Sequence, residues 1–137
     1  MALFVLPLLT TTISANDEKV KVVSGTTAEV KIEKPLSNRE LIEQFSEQYK
    51  VNSTLALKIA SCESGLTQFN SDGSVFRGRQ NPQDVGIFQI NEYYHLKRSQ
   101  ELGLNIYTRE GNIEFAMILL STTGTSPWNW SKACWGS

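Results

Sequence analysis

The chain has 137 residues, room for one domain, and its 40% hydrophobic content suffices for a compact core. Thirteen basic residues stand against fourteen acidic ones, so no broad basic field exists to attract nucleic acid or an anionic membrane surface. Two cysteines and one histidine are too few for a Cys/His zinc site. Met1 to Leu9 is apolar and uncharged, small polar residues follow to Ala15, and the charged Asn16-Asp17-Glu18-Lys19 comes next. That run is too short to span a bilayer and suits the hydrophobic region of a secretory signal, so residues 1–15 read as a signal-like segment and the protein as exported. A buried N-terminal strand or helix is the alternative. Residues 16–36 read as a linker closed by Pro35. Its Lys19-Val20-Lys21-Val22 and Glu29-Val30-Lys31-Ile32 alternate like strands, but two isolated strands are marginal in water.

The folded domain is expected over 37–137. Ser37-Asn38-Arg39-Glu40 has the spacing of a capping box, and Leu41, Ile42, Phe45 and Tyr49 form one apolar stripe behind it. Asn52 or Ser53 can cap a second helix, in which Leu55, Ile59 and Cys62 recur at helical spacing and which Gly65 ends by taking a left-handed turn. Glu63 then falls in the last turn, among carbonyls of partial negative charge, with Cys62, Leu66 and Phe69 as apolar neighbours. Both effects raise its pKa, as a general acid working near neutrality requires. The plainer alternative is a helix-forming Glu that faces water.

Residues 66–85 are rich in turn formers, and Asp72-Gly73 signals a hairpin. With Val75-Phe76 and Val85 to Ile90 this predicts a small irregular sheet after the second helix. A calcium loop is set aside, because the required order of acidic and Asn positions with a later Glu is missing. Asn91 caps a helix to residue 102, with Tyr94, Leu96 and Leu102 as core contacts. His95 has a surface or packing role, since no Ser or Cys nucleophile can be assembled around it. Thr108 caps a further helix, with Ile113, Ala116, Met117 and Leu120 on one face, expected to pack on the helix carrying Glu63. Gly124 ends it, and Ser126-Pro127 starts a short final helix. In an exported protein with two cysteines, a Cys62–Cys134 disulfide is the natural inference, the alternative being two buried free thiols. The fold class is α+β, mainly α.

Cys62-Glu63-Ser64-Gly65 followed about twenty residues later by Asp84-Val85-Gly86-Ile87-Phe88-Gln89-Ile90-Asn91 resembles the lysozyme superfamily over residues 40 to 135. Soluble lytic transglycosylases share the Glu-Ser pair, a Gly-Leu-Met-Gln-like motif, matched by Gly86 to Gln89, and a later helix like Asn112 to Ala116. Animal lysozymes share Glu-Ser, a turn like Asn70 to Ser74, and an Asp at the place of Asp84. Resuscitation-promoting factors share Cys-Glu-Ser-Gly and a late Trp/Cys segment like Trp130 to Trp135. In place of the Tyr-Asn-x-Gly segment of transglycosylases this chain has Trp128-Asn129-Trp130-Ser131, and it holds fewer cysteines than an animal lysozyme.

The resemblance implies a lysozyme-like fold and cleavage of peptidoglycan glycan strands at the MurNAc–GlcNAc linkage. Glu63 would protonate the departing oxygen. In a lytic transglycosylase the same Glu then acts as base while the substrate's own hydroxyl closes an anhydro ring, and no second carboxylate is needed. In a hydrolytic muramidase of the retaining kind, Asp84 would lie about 5 Å away and stay ionised. Asp84 as a turn residue after Pro82 is the alternative. Substrate contacts would come from Ser64, which also orients Glu63, and from Ile87, Phe88, Gln89 and Asn91. One of Trp128, Trp130 and Trp135, the first two above all, would offer a ring face to sugars, with core filling expected for at least two of the three. No metal and no cofactor is called for. The expected partner is the glycan strand, met by a monomer without a stable membrane span in the periplasm, cell wall or medium. A non-catalytic peptidoglycan-binding module is the rival from another class.

Overall fold

Ser37 opens the first helix with a reciprocal pair of bonds. In the computed structural model, which describes residues 34–137, its hydroxyl accepts from the Glu40 amide (3.3 Å) while the Glu40 carboxylate accepts from the Ser37 amide (2.7 Å). The helix α1 (Asn38–Tyr49) buries Leu41, Ile42 and Ser46, with Phe45 and Tyr49 half-buried beside them. Asn52 is the residue that caps α2 (Ser53–Ser64), accepting from Leu55 N at 2.9 Å, and Gly65 ends it at φ 63. The face α2 buries is Ala56, Ile59 and Ala60, whose small side chains let neighbouring backbones come close; Leu55 and Cys62 sit at its margin. The signal-like segment and the alternating stretches of the linker lie outside the described residues.

A small irregular sheet follows α2. Phe69 and Val75 bridge around the Asp72-Gly73 turn, and Arg77 bridges to Val85. β1 (Asp84–Val85) pairs antiparallel with β2 (Ile90–Asn91), Asp84 opposite Asn91 and Val85 opposite Ile90. Helix α3 (Glu92–Glu101), capped by Asn91, buries only Ser99; Tyr94 and Leu102, expected in the core, are exposed. A ten-residue helix offers too few turns for its apolar positions to fix which face is inward. Tyr93 and Tyr94 are each 73% exposed and meet edge to face. His95 is half-buried with its ring against Phe115, a packing role, and burial lowers its pKa.

Helix α4 (Arg109–Thr123), capped by Thr108, is buried along most of its length from Gly111 to Leu119. Its main packing partner is α1, through Ser46 against Met117 and a Tyr49–Glu114 hydrogen bond of 2.6 Å. The expected partner was α2, which instead packs on α1 and on the C-terminal segment. A helix apolar almost all round does not declare its neighbour in its own sequence. A 3₁₀ turn, Ser126–Ser131, leads into the one-turn α5 (Lys132–Trp135), and the Cys62–Cys134 disulfide ties α5 to α2. All these elements belong to one unit, Leu36–Ser137, mainly helical with a two-stranded sheet. Among the described residues no helix is long and apolar enough to cross a membrane.

Candidate active site

The last turn of α2 brings Glu63 to the wall of a groove of about 500 Å³. Asp84, Gln89, Phe76, Asn81 and Arg79 line the same groove. Glu63 is half-buried, and removal from water is the main cause that raises its pKa; the Ser131 hydrogen bond opposes the rise and the negative charge of Asp84 adds to it. One carboxyl is therefore biased toward its neutral form inside a trough that could seat an extended ligand. β1 and the Gly86–Gln89 turn bring Asp84 and Gln89 to the same groove, as its floor.

That floor is held by polar contacts within and beneath it. Asp84 Oδ1 accepts from Asn91 Nδ2 (2.7 Å) and from Asn81 Nδ2 (3.2 Å), which fixes the carboxylate against its paired strand. No donor among the described residues reaches Asp84 Oδ2. Below the turn, buried Gln68 accepts from Ile87 N (3.0 Å) and buried Asn112 accepts from Phe88 N (2.9 Å). Asn112 also donates to the carbonyls of Val85 and Ile106, each at 2.9 Å. Gly86 at φ 71 crosses directly above these two amides, where any Cβ would collide with both. The motif residues with apolar side chains thus face inward while Gln89, at φ 49, faces the groove.

No family model, characterised protein or solved structure matches this chain.

The residues expected to form one site divide into those that meet and those that do not. Glu63, Asp84, Ser64 and Gln89 share the groove. Ile87 and Phe88 are wholly buried and can offer a ligand no side-chain surface. Asn91 spends both ends of its amide inside the protein, Oδ1 capping α3 and Nδ2 on Asp84, so it supports the second carboxylate rather than a sugar. Ser64 does not orient Glu63; its hydroxyl donates to Ile87 O (2.7 Å) and accepts from Thr67 N (3.0 Å), tying α2 to the turn. Trp128 is buried with its Nε1 on Phe88 O (2.8 Å), and Trp130, though 102% exposed, is not among the residues lining the groove. Phe69, named as an apolar neighbour of Glu63, is exposed on a separate depression with Leu66 and Arg109.

Ser131 was not foreseen beside Glu63, and Trp135, weighed as a groove-lining ring, is instead a buried hydrogen-bond donor. Ser131 Oγ donates to Glu63 Oε1, and Trp135 Nε1 donates to Ser131 Oγ at 3.0 Å. The sequence signal for Ser131 was the expected disulfide three residues after it, which ties that segment to the residue before Glu63. Cys62–Cys134 is formed as expected, with Cα atoms 6.1 Å apart.

Proposed function

We propose that this domain cleaves the glycan strands of peptidoglycan at the MurNAc–GlcNAc linkage, with Glu63 as general acid, as a lytic transglycosylase. One observation carries the reading: a half-buried carboxyl whose pKa is raised by burial stands on the wall of a groove about 500 Å³ in volume. Breaking a glycosidic bond needs a proton for the departing oxygen and a stabilised oxocarbenium-like centre. Glu63 delivers the proton, then as carboxylate takes one from the substrate hydroxyl that closes the anhydro ring. Asp84, bound by the amides of Asn81 and Asn91, serves in this reading to hold the floor in register. The disulfide accords with an exported protein working at the cell wall.

A second reading, a hydrolytic muramidase, is favoured by the position of Asp84 in the same groove, where its ionised carboxylate would stabilise the positive centre. Incubation with purified sacculi followed by mass spectrometry of the released sugars separates the readings. Anhydro ends mark the transglycosylase and reducing ends the hydrolase. Binding without release marks a non-catalytic module and overturns both. Asp84→Asn should leave a transglycosylase within several-fold of full rate and reduce a hydrolase by about 10² or more.

A further inference from the structure

Ser131 Oγ stands among three partners. Trp135 Nε1–H donates to it at 3.0 Å, while Glu63 Oε1 and Trp128 O (3.1 Å) are both placed as acceptors of its proton. A hydroxyl has one proton and two lone pairs, so it cannot serve both acceptors at once. An ionised Glu63 takes that proton, since a charged acceptor makes the stronger bond. When Glu63 is neutral, its own O–H donates to Ser131 Oγ, and the serine proton turns to Trp128 O. Trp135 Nε1–H lies 3.0 Å from both Ser131 Oγ and Trp128 O and is shared between them when Glu63 is ionised, so both oxygens stay paired in either state without any heavy atom moving.

We propose that Ser131 is a positioning residue for Glu63 whose hydrogen bond reverses direction as Glu63 gives up and regains its proton, so that the acid and base forms are held in one place. The inference rests on the reading of Glu63 as the acid. In the first half-reaction the Glu63 O–H turns from Ser131 Oγ to the glycosidic oxygen, the C–O bond breaks as that proton goes to the leaving oxygen, and the Ser131 proton swings from Trp128 O to the resulting carboxylate at Oε1. In the second, the carboxylate takes a proton from the attacking hydroxyl, sugar or water, and the serine swings back. The Cys62–Cys134 bridge keeps the two segments in reach throughout.

The test is a ¹³C-NMR titration of the Glu63 carboxyl in the free protein, with the pH profile of kcat/KM on sacculi measured beside it, for wild type, Ser131→Ala and Ser131→Thr. Ser131→Ala should move the Glu63 midpoint to higher pH, because the bond that favours the carboxylate is gone. It should also lower kcat about tenfold with little change in KM. Ser131→Thr should return both to near wild type. A folded Ser131→Ala protein with an unchanged midpoint overturns the proposal. Should Ser131→Ala fail to fold, Trp135→Phe keeps a ring and removes the N–H that polarises the hydroxyl; a smaller shift in the same direction supports the proposal and no shift overturns it. The titration needs no turnover, so sacculi left intact would overturn the glycosidase reading while the midpoint still decides the role of Ser131.

Discussion

Glu63 and Ser131 lie 68 residues apart in the chain and share a hydrogen bond, and the Cys62–Cys134 bridge spans the same two segments from just outside that pair. The acid's position therefore depends on a covalent tie between α2 and a C-terminal segment that has only a 3₁₀ turn and one turn of α-helix. The bridge closes 72 residues of chain, worth about 4 kcal/mol in the chain-entropy account. A C62S/C134S protein should lose about that much stability in urea unfolding and turn over more slowly even where it remains folded. Equal stability with and without the bridge would mean that Trp128 and Trp135, buried beneath the segment, hold it unaided.

Glu63→Gln should cost about 10²–10⁴ in turnover, because no proton can be delivered. The same change should stabilise the fold at neutral pH. Burial raises the Glu63 pKa above its unfolded value, so folding favours the protonated form. That contribution is complete below the ordinary Glu range and is lost as pH climbs through the raised value. The variant and wild type should therefore melt together at about pH 3 and diverge above about pH 5, the variant higher. Melting curves that stay parallel from acid to neutral pH would remove the case for a pKa shift.

What could be read in advance follows the reach of each signal. Capping is local, so Ser37 with Glu40, Thr108, Gly65 and, to within one residue, Asn52 were legible from neighbours three residues away or fewer. The disulfide was legible because only two cysteines exist to pair. The motif Gly86 to Asn91 lies beside the groove that holds Glu63, yet a linear string does not say which side chains turn inward. Ile87, Phe88 and Asn91 turned out to build the floor, and only Gln89 and Asp84 reach the groove. Ser131 and Gln68 were beyond reach: each is a single polar residue defined by a partner 68 or 19 positions away, and neither carries a pattern of its own.

Alkaline pH probes the α1–α4 contact. The Tyr49 hydroxyl donates to Glu114 at 2.6 Å, and that bond, with burial and the charge of Glu114, pushes its pKa up to about 12. Folding thus favours neutral Tyr49, a contribution complete below the usual tyrosine value near 10 and lost as pH rises through about 12. Ultraviolet titration of the four tyrosines should show a late step near 12, and Tyr49→Phe should remove it. Wild type should lose stability relative to Tyr49→Phe between these two values. A titration unchanged by the substitution would assign the late tyrosine elsewhere, Tyr107 being the next candidate because burial and its bond to Glu92 raise it too.

Two glycines with similar backbones separate strain from collision at the groove floor. Gly73 has φ 83 and open space where a Cβ would stand; Gly86 has φ 71 and would drive a Cβ into the Gln68 and Asn112 amides. Gly73→Ala should cost only the left-handed backbone penalty, about 1 kcal/mol, with turnover unchanged. Gly86→Ala adds overpacking of a wholly filled site, about 3 kcal/mol in total, and should reduce turnover because the turn that presents Gln89 and anchors Asp84 must shift. Asn112→Ala tests the same floor from below. It leaves Phe88 N, Val85 O and Ile106 O without the partners they have now, so it should match or exceed Gly86→Ala in urea unfolding. If Gly86→Ala and Gly73→Ala cost the same, the amides beneath the turn yield freely, and the groove floor is soft rather than built.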